Sequence, residues 1–338
     1  MRGFGGVKAA VGASVPTGTP GGVDYVLLLV LAAIWGSSFL FIKMSVDVVP
    51  PATMTAIRVS VATLIILPFA IAGGRALTKG WRMIGLVALA GLFGNALPFT
   101  LIAWGQQEID AGLAAILMGT MPLFTLLLAH FFTHDEKLNR LKVLAVILGF
   151  AGIAILIGPH KLVQLGSQVI AQLSVACGAL CYAVNAIISK RLTGEPRMAV
   201  AASLMFAATL MMWPLAWVTE FSGASEPVLG NATWFDIATV ILLGAVHTGL
   251  ATLIMFRLIT SAGATFFSQI NFLVPVFGVV WGATFLGERP GINAILALSL
   301  ILAGIALARR GQRRPPTARG QEPVSSAPRA ALQTREDA

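Results

Sequence analysis

Charge is what this sequence has least of. Only 11% of its 338 residues are Asp, Glu, Lys or Arg, against about 25% in an ordinary soluble domain, too little to cover a water-facing globule. Acid is scarcer than base, 14 residues against 23. Asp24, Glu108, Asp110, Glu136, Asp236 and Glu288 all stand at the ends of apolar runs or between them, so no acid is expected deep in a run. Proton relays in membranes usually employ buried carboxylates or histidine, which leaves His247 as the central titratable candidate. Cysteine is almost absent: Cys177 and Cys181, one helical turn apart within an apolar run, are expected as small buried apolar residues. No Cys/His cluster for metal is present, and no Walker sequence, Rossmann glycine fingerprint or nucleophile elbow. An acidic pair able to hold Mg²⁺ and a lipid diphosphate is also missing. These absences exclude the common nucleotide-dependent, hydrolytic and metal chemistries, and neither a cofactor nor a metal is expected.

What fills the chain instead is apolar sequence, 57% of all residues. A helix needs about 20 mostly apolar residues to cross a bilayer, and ten segments qualify: 24–44, 52–72, 83–104, 112–132, 141–158, 169–189, 199–219, 236–256, 264–286 and 292–308. Lipid offers no partners to backbone N–H and C=O groups, so these runs are predicted as helices. Residues 1–23, rich in Gly, Pro and Thr, and the basic stretch 309–338 are predicted as disordered tails. No signal peptide precedes the first run, which is therefore expected to remain as a span. The sequence pI near 10.3 does not indicate nucleic acid, because the cations are gathered between runs. With both termini on one side, 19 of the 23 Lys and Arg fall on that side, seven of them from Arg309 to Arg335, while Lys161 and Arg289 fall opposite. Cations concentrate in cytoplasmic loops, so both termini are predicted in the cytoplasm of a multi-pass inner-membrane protein.

The two halves overlay. Thr100-Leu101-Ile102 recurs as Thr252-Leu253-Ile254, Glu136 as Glu288, and Gly152-Ile153-Ala154 as Gly304-Ile305-Ala306, all at an offset of 152. Pro122 matches Pro275 at 153, and the segment from Trp35 to Lys43 resembles that from Tyr182 to Lys190 at 147. Each half holds five spans, so the second enters the membrane from the opposite face. That is an inverted-topology repeat, a recurrent device of secondary transporters. The predicted fold is all-α and integral to the membrane: ten helices in two inverted five-helix repeats, 24–158 and 169–308.

These residues also resemble the drug/metabolite transporter superfamily, in its ten-span EamA-type branch. The likeness rests on Trp35-Gly36-Ser37-Ser38-Phe39 through Lys43, on Arg58, and on a paired Pro-to-acid signature. In the second half that signature is Pro275-Val-Phe followed by Leu286-Gly287-Glu288-Arg289. In the first it is Pro122-Leu-Phe followed by His134-Asp135-Glu136-Lys137, where the usual Gly-Glu turn is replaced. The resemblance covers roughly residues 25–308 and implies transport, more often export, of amino acids, other metabolites or toxic compounds.

Candidate site residues follow from depth. Asn95 lies mid-span and its partner at offset 152 is His247; inversion preserves the midplane, so both are predicted to face one cavity, the alternative being a bond to a neighbouring helix. Ser38 corresponds to Asn185, and Gln269 and Asn271 precede Pro275; these are secondary candidates. Trp35 is placed either to stack on solute or to pack. Pro98, Pro122 and Pro275 interrupt spans, the last two in corresponding positions that suit a hinge or cavity wall. Lys43 is expected to snorkel or to serve the site. Arg58 sits deeper, as an anion attractor or as the partner of Asp47. The expected partners are a small-molecule solute and the lipid bilayer, with a homodimer admitted and nucleic acid excluded. A membrane enzyme acting on lipid is the alternative, and it would need clustered acids or a nucleophile with its base.

Overall fold

The computed structural model describes residues 20–133, 137–158, 166–192, 194–224 and 227–311. Among them, ten helices are long and apolar enough to cross a membrane. They are α1 (Gly22–Ser45), α2 (Pro51–Ala72), α3 (Trp81–Gln106), α4 (Ala111–Phe132), α5 (Arg140–Ile157), α6 (Ser167–Leu192), α7 (Arg197–Phe221), α8 (Trp234–Ser261), α9 (Gly263–Phe285) and α10 (Ile292–Arg310). Every helix starts within two residues of its expected position, while α8 runs on to Ser261. The predicted tails are partly corrected, since Gly22 and Val23 belong to α1 and Arg309 and Arg310 to α10. Residues 1–19 and 312–338, the turn containing Glu136, and Lys161 lie outside the described residues.

Large apolar side chains cover the outer faces, for example Leu64, Ile147 and Leu210, as contact with lipid requires. Cys177 joins this exposed surface and only Cys181 is buried. The expectation for Cys177 was therefore wrong: it lies on the same outward face of α6 as Leu173 and Leu180.

The inverted repeat is visible in who packs on whom. Helix α1 packs on α8 and α9 of the other half, and α6 packs on α3 and α4 of the first. Helices α2 with α7, and α5 with α10, pair with their own counterparts. Small residues set these approaches, because helices in lipid associate through close packing rather than a hydrophobic drive. A Cβ on Gly152 would stand 3.1 Å from the Ala297 carbonyl oxygen, and one on Gly304 2.8 Å from that of Ala145. Both glycines and both alanines are related by the 152 offset. Gly91 likewise seats α3 against the Leu204 carbonyl of α7, a built Cβ lying at 2.8 Å, and Gly244 seats α8 against the Arg58 carbonyl of α2 at 2.7 Å.

Three helices depart from regular geometry near mid-length, and α9 does so close to its start. Helix α3 widens into a π-turn at Leu92–Ala96 and α8 at Ala245–Leu250. In α3 the cause is Pro98, which has no N–H to donate and whose ring crowds the carbonyl four residues earlier; the Leu97 N–H reaches back five residues to Leu92. In α8, which has no proline, side chains fill the gap. Nδ1 of His247 meets the Leu242 carbonyl at 3.2 Å and the Thr248 hydroxyl donates to that of Leu243 at 2.9 Å. Helix α4 breaks at Gly119–Thr120 and α9 at Ser268–Gln269. Counted at the repeat offset these breaks are not equivalent, so the two halves hold different shapes.

The glycine contacts predict a graded loss of stability. Gly304→Ala and Gly152→Ala should each lower the melting temperature of the detergent-purified protein, by the ~1–3 kcal/mol typical of overpacking, Gly304→Ala the more. A Gly304→Ala protein that melts like the unmodified chain would contradict the close contact.

Candidate functional site

A cavity of about 750 Å³ lies between the two halves. Its deep wall carries Trp35 and Ser38 of α1, Arg58 of α2, Asn95 of α3, Asn185 of α6 and His247 of α8, with Asn271 and Pro275 of α9 beside them. Toward its mouth stand Gly194, Glu195 and Arg197 of the α6–α7 turn. That turn is at the end of the bundle where α1 begins and α10 finishes, so the cavity opens at the termini end.

Asn95 and His247 each sit inside a π-turn, which projects a side chain inward where a regular turn would continue the ladder; such wide turns recur at functional sites. Asn95 is 6% exposed and, among the described residues, makes no side-chain hydrogen bond. Next to it, Gly94 has no Cβ because the Asn185 amide nitrogen occupies that space, 2.6 Å from where the atom would be. Asn95 and Asn185 both line the cavity. A carbonyl can only accept, so the Leu242 contact places a hydrogen on Nδ1 of His247. Its Nε2 meets the Ser37 hydroxyl at 3.1 Å, and its ring packs edge-on to Phe41 at 5.0 Å between centroids.

Arg58 is 6% exposed. Its guanidinium lies over the Phe99 ring, 3.7 Å from the centroid, and Nε donates to the Thr248 hydroxyl at 2.9 Å. Phe99 in turn packs edge-on to Tyr182. The expected pairing of Arg58 with Asp47 does not form: among the described residues the single ion pair joins Arg75 and Glu195 at 2.6 Å.

Other predicted residues fall elsewhere. Lys43 does not line the cavity; its ammonium donates to the carbonyl of Gln106 at 2.8 Å, stabilising the carboxyl end of α3. Gln269 forms part of the break in α9 rather than the wall. Pro98 is buried in α3 behind its π-turn, and Pro122 follows the break in α4 by two residues without lining the cavity. Pro275 does line it, and its Cγ would stand 3.0 Å from a Cβ on Gly119, so the proline of one half seats against the broken helix of the other. Ser38 bonds the Trp35 carbonyl at 2.7 Å, and Trp35 meets Phe267 edge-on.

Sequence reasoning did not foresee the capping role of two carboxylates at the far end of the bundle. Glu220, in the last turn of α7, accepts from the backbone N–H groups of Ala52 and Thr53, both at 2.7 Å, at the start of α2. Glu288 accepts from those of Ala111 at 2.7 Å and Gly112 at 2.9 Å, at the start of α4. The first N–H groups of a helix lack partners of their own and bear partial positive charge, so a carboxylate is well matched there. The signal available was Pro50-Pro51, a helix start without a capping side chain; Asp110 is itself a capping residue type, and its side chain makes no capping bond here. Burial pushes the Glu288 carboxyl above the usual carboxylate range, while its two N–H bonds and Lys43 draw it down and Asp110 adds to the rise. Gly282 has no side chain where the Glu288 carboxylate sits. Glu288→Ala should therefore strand two N–H groups at a cost of about 1–3 kcal/mol, and Gly282→Ala should displace the carboxylate. Both variants are expected to melt below the unmodified protein, and unchanged melting for both would contradict the cap.

The sequence model of the EamA-like transporter family matches residues 24–158 and 169–310. The uncharacterized inner membrane transporter YedA of Escherichia coli (strain K12) is 26% identical over 290 residues, covering 84% of this chain and 90% of that protein. A probable terminal-alkyne amino-acid exporter of Streptantibioticus cattleyicolor is 26% identical over 301 residues, covering 87% and 97%. A crystal structure of a 20% identical protein superposes with a TM-score of 0.60 over 86% of this chain and 99% of that one, a likeness of fold alone.

Proposed function

Because the chain belongs to the EamA-like transporter family, we propose that it exports small metabolites, amino acids or similar solutes, by alternating access of the central cavity across a bacterial inner membrane. The observation that carries this reading is the cavity itself. It lies at the interface of inverted repeats, is lined by polar groups in an otherwise apolar bundle, and opens at the termini end. Polar groups at membrane depth are costly unless they face an interior or a water-filled space, and solute sites of repeat-built transporters occupy this place.

The 19-to-2 bias of Lys and Arg supports cytoplasmic termini. With that orientation the cavity is open inward, ready to receive solute from the cell. The names of the relatives from Escherichia coli and Streptantibioticus cattleyicolor agree with the membrane and with export of an amino-acid-like solute. The alternative of a lipid-acting enzyme finds little here. Ser37 and His247 do form a hydroxyl–imidazole contact, but Ser37 is absent from the cavity wall and so out of reach of a bound molecule.

Two measurements test the proposal. Asn95→Ala and His247→Ala should each lower flux in proteoliposomes by about tenfold or more while abundance in the membrane stays near normal, because a cavity-facing polar group touches solute. Abundance falling in step with flux would mean that they support the fold instead. In a background lacking Cys177 and Cys181, single cysteines within 222–232 should react with an impermeant reagent added outside intact cells, and those in the tail should not. Labelling of the tail would reverse the orientation.

A further inference from the structure

We propose that Arg58 is the anion-binding group of the cavity and that the transported solute carries a carboxylate; this rests on the transport reading above and narrows its substrate class. Arg58 is a buried cation that, among the described residues, meets the face of Phe99 but no carboxylate. No carboxylate lies within ion-pair distance of it among the described residues, and Glu195, the acid in the cavity wall, is engaged with Arg75 at the mouth. Retaining Arg at membrane depth costs about 2.5–3.5 kcal/mol on insertion scales. A packing role would not require that charge.

The surroundings of Arg58 prepare it for a flat anion. Phe99 supports one face of the guanidinium and Thr248 holds Nε; the Thr248 hydroxyl is itself fixed by donation to Leu243. These contacts leave Nη1 and Nη2 without a hydrogen-bonded protein partner among the described residues, on a side chain that lines the cavity. Two parallel N–H groups on one rigid plane match the two oxygens of a carboxylate.

Charge count separates a carboxylate from phosphate. The second cation of the wall, Arg197, stands at the mouth and donates to Thr260 at 3.2 Å, so the deep end offers a single positive charge. A monoanion is neutralised there, whereas a dianion would retain excess charge. Asn95, deeply buried and without a side-chain partner, offers an amide oxygen and an amide N–H to the remainder of the solute, such as an amino or hydroxyl group. Among the described residues no acid is present at that depth to fix an amine by charge, so the carboxylate is the group on which selection turns.

The test uses the full chain, purified and reconstituted. Probes are a series of small monocarboxylates, 2-oxo acids and neutral amino acids, each paired with its primary amide, together with simple amines and inorganic phosphate. Ligand-induced rise in melting temperature and counterflow in proteoliposomes are read for each. Acids should raise the melting temperature and exchange, and their amides should not. Arg58→Gln should weaken the acid response by about tenfold or more, with Arg58→Lys keeping part of it. Unliganded Arg58→Gln should melt close to the unmodified protein, because the cost of burying the charge goes together with its contacts to Phe99 and Thr248. Arg58→Gln melting far lower, or retaining acid-over-amide selection, would overturn the assignment. A response to phosphate without one to carboxylates would overturn the class. Amides or amines exchanged in preference to acids would leave transport standing and remove this inference, whereas exchange of none of the probes would count against both.

Discussion

Inside a bilayer every polar group of the backbone has to find its partner within the protein, and the irregular parts of this structure are answers to that constraint. Where α8 widens at Ala245–Leu250, an imidazole and a threonine hydroxyl take the carbonyls of Leu242 and Leu243. Where α2 and α4 begin without a local cap, carboxylates arrive from α7 and from the α9–α10 turn. Where α3 ends, the Gln106 carbonyl accepts from the Lys43 ammonium. The cavity exists because two of these departures coincide in depth: π-turns in corresponding helices turn Asn95 and His247 toward each other's half, and the space between them is what regular packing would have filled.

Much of this could be read before any coordinates. Apolar run length located all ten helices, since the bilayer imposes a length that composition reports directly. The 152 offset identified Asn95 and His247 as equivalent, and the structure seats both in one wall. The 147 offset matched Tyr182 to Trp35 and Asn185 to Ser38, and all four line the cavity. What could not be read were contacts fixed by three-dimensional approach. Nothing local in the sequence ties Glu220 to residues 52 and 53, or Thr248 to Arg58, because those pairs are separated by 167 residues or more. The partners of Lys43 were hidden for the same reason, since the Gln106 carbonyl that it bonds lies 63 residues away in sequence. Asp47 lies near Arg58 in sequence, yet the α1–α2 connection keeps its carboxylate outside ion-pair distance.

The halves are alike in sequence and unlike in shape. Helix α4 breaks beside Gly119 and α9 beside Ser268, positions that the repeat offset does not superimpose. Pro275 seats against Gly119 and Arg309 donates to Ser268 at 2.8 Å, so each break is held by a residue of the second half. An inverted pair in a single symmetric shape would present the same opening to both sides of the membrane. Unequal breaks give one opening and one seal.

Helices α2 with α7 and α5 with α10 meet across the line that relates the halves, and this gives them a property the other contacts lack. Should the halves trade shapes, the pairing of α1 with α9 would become that of α6 with α4, and the reverse. An interface between counterparts would map onto itself. Gly152 against Ala297 and Gly304 against Ala145 already present nearly the same contact twice over. Such an interface has no alternative form to reach, so it can stay shut while everything around it changes partners. It also has no spare copy: a side chain enlarged on one strand of the pair presses on the same seam as its counterpart, in every shape the protein takes.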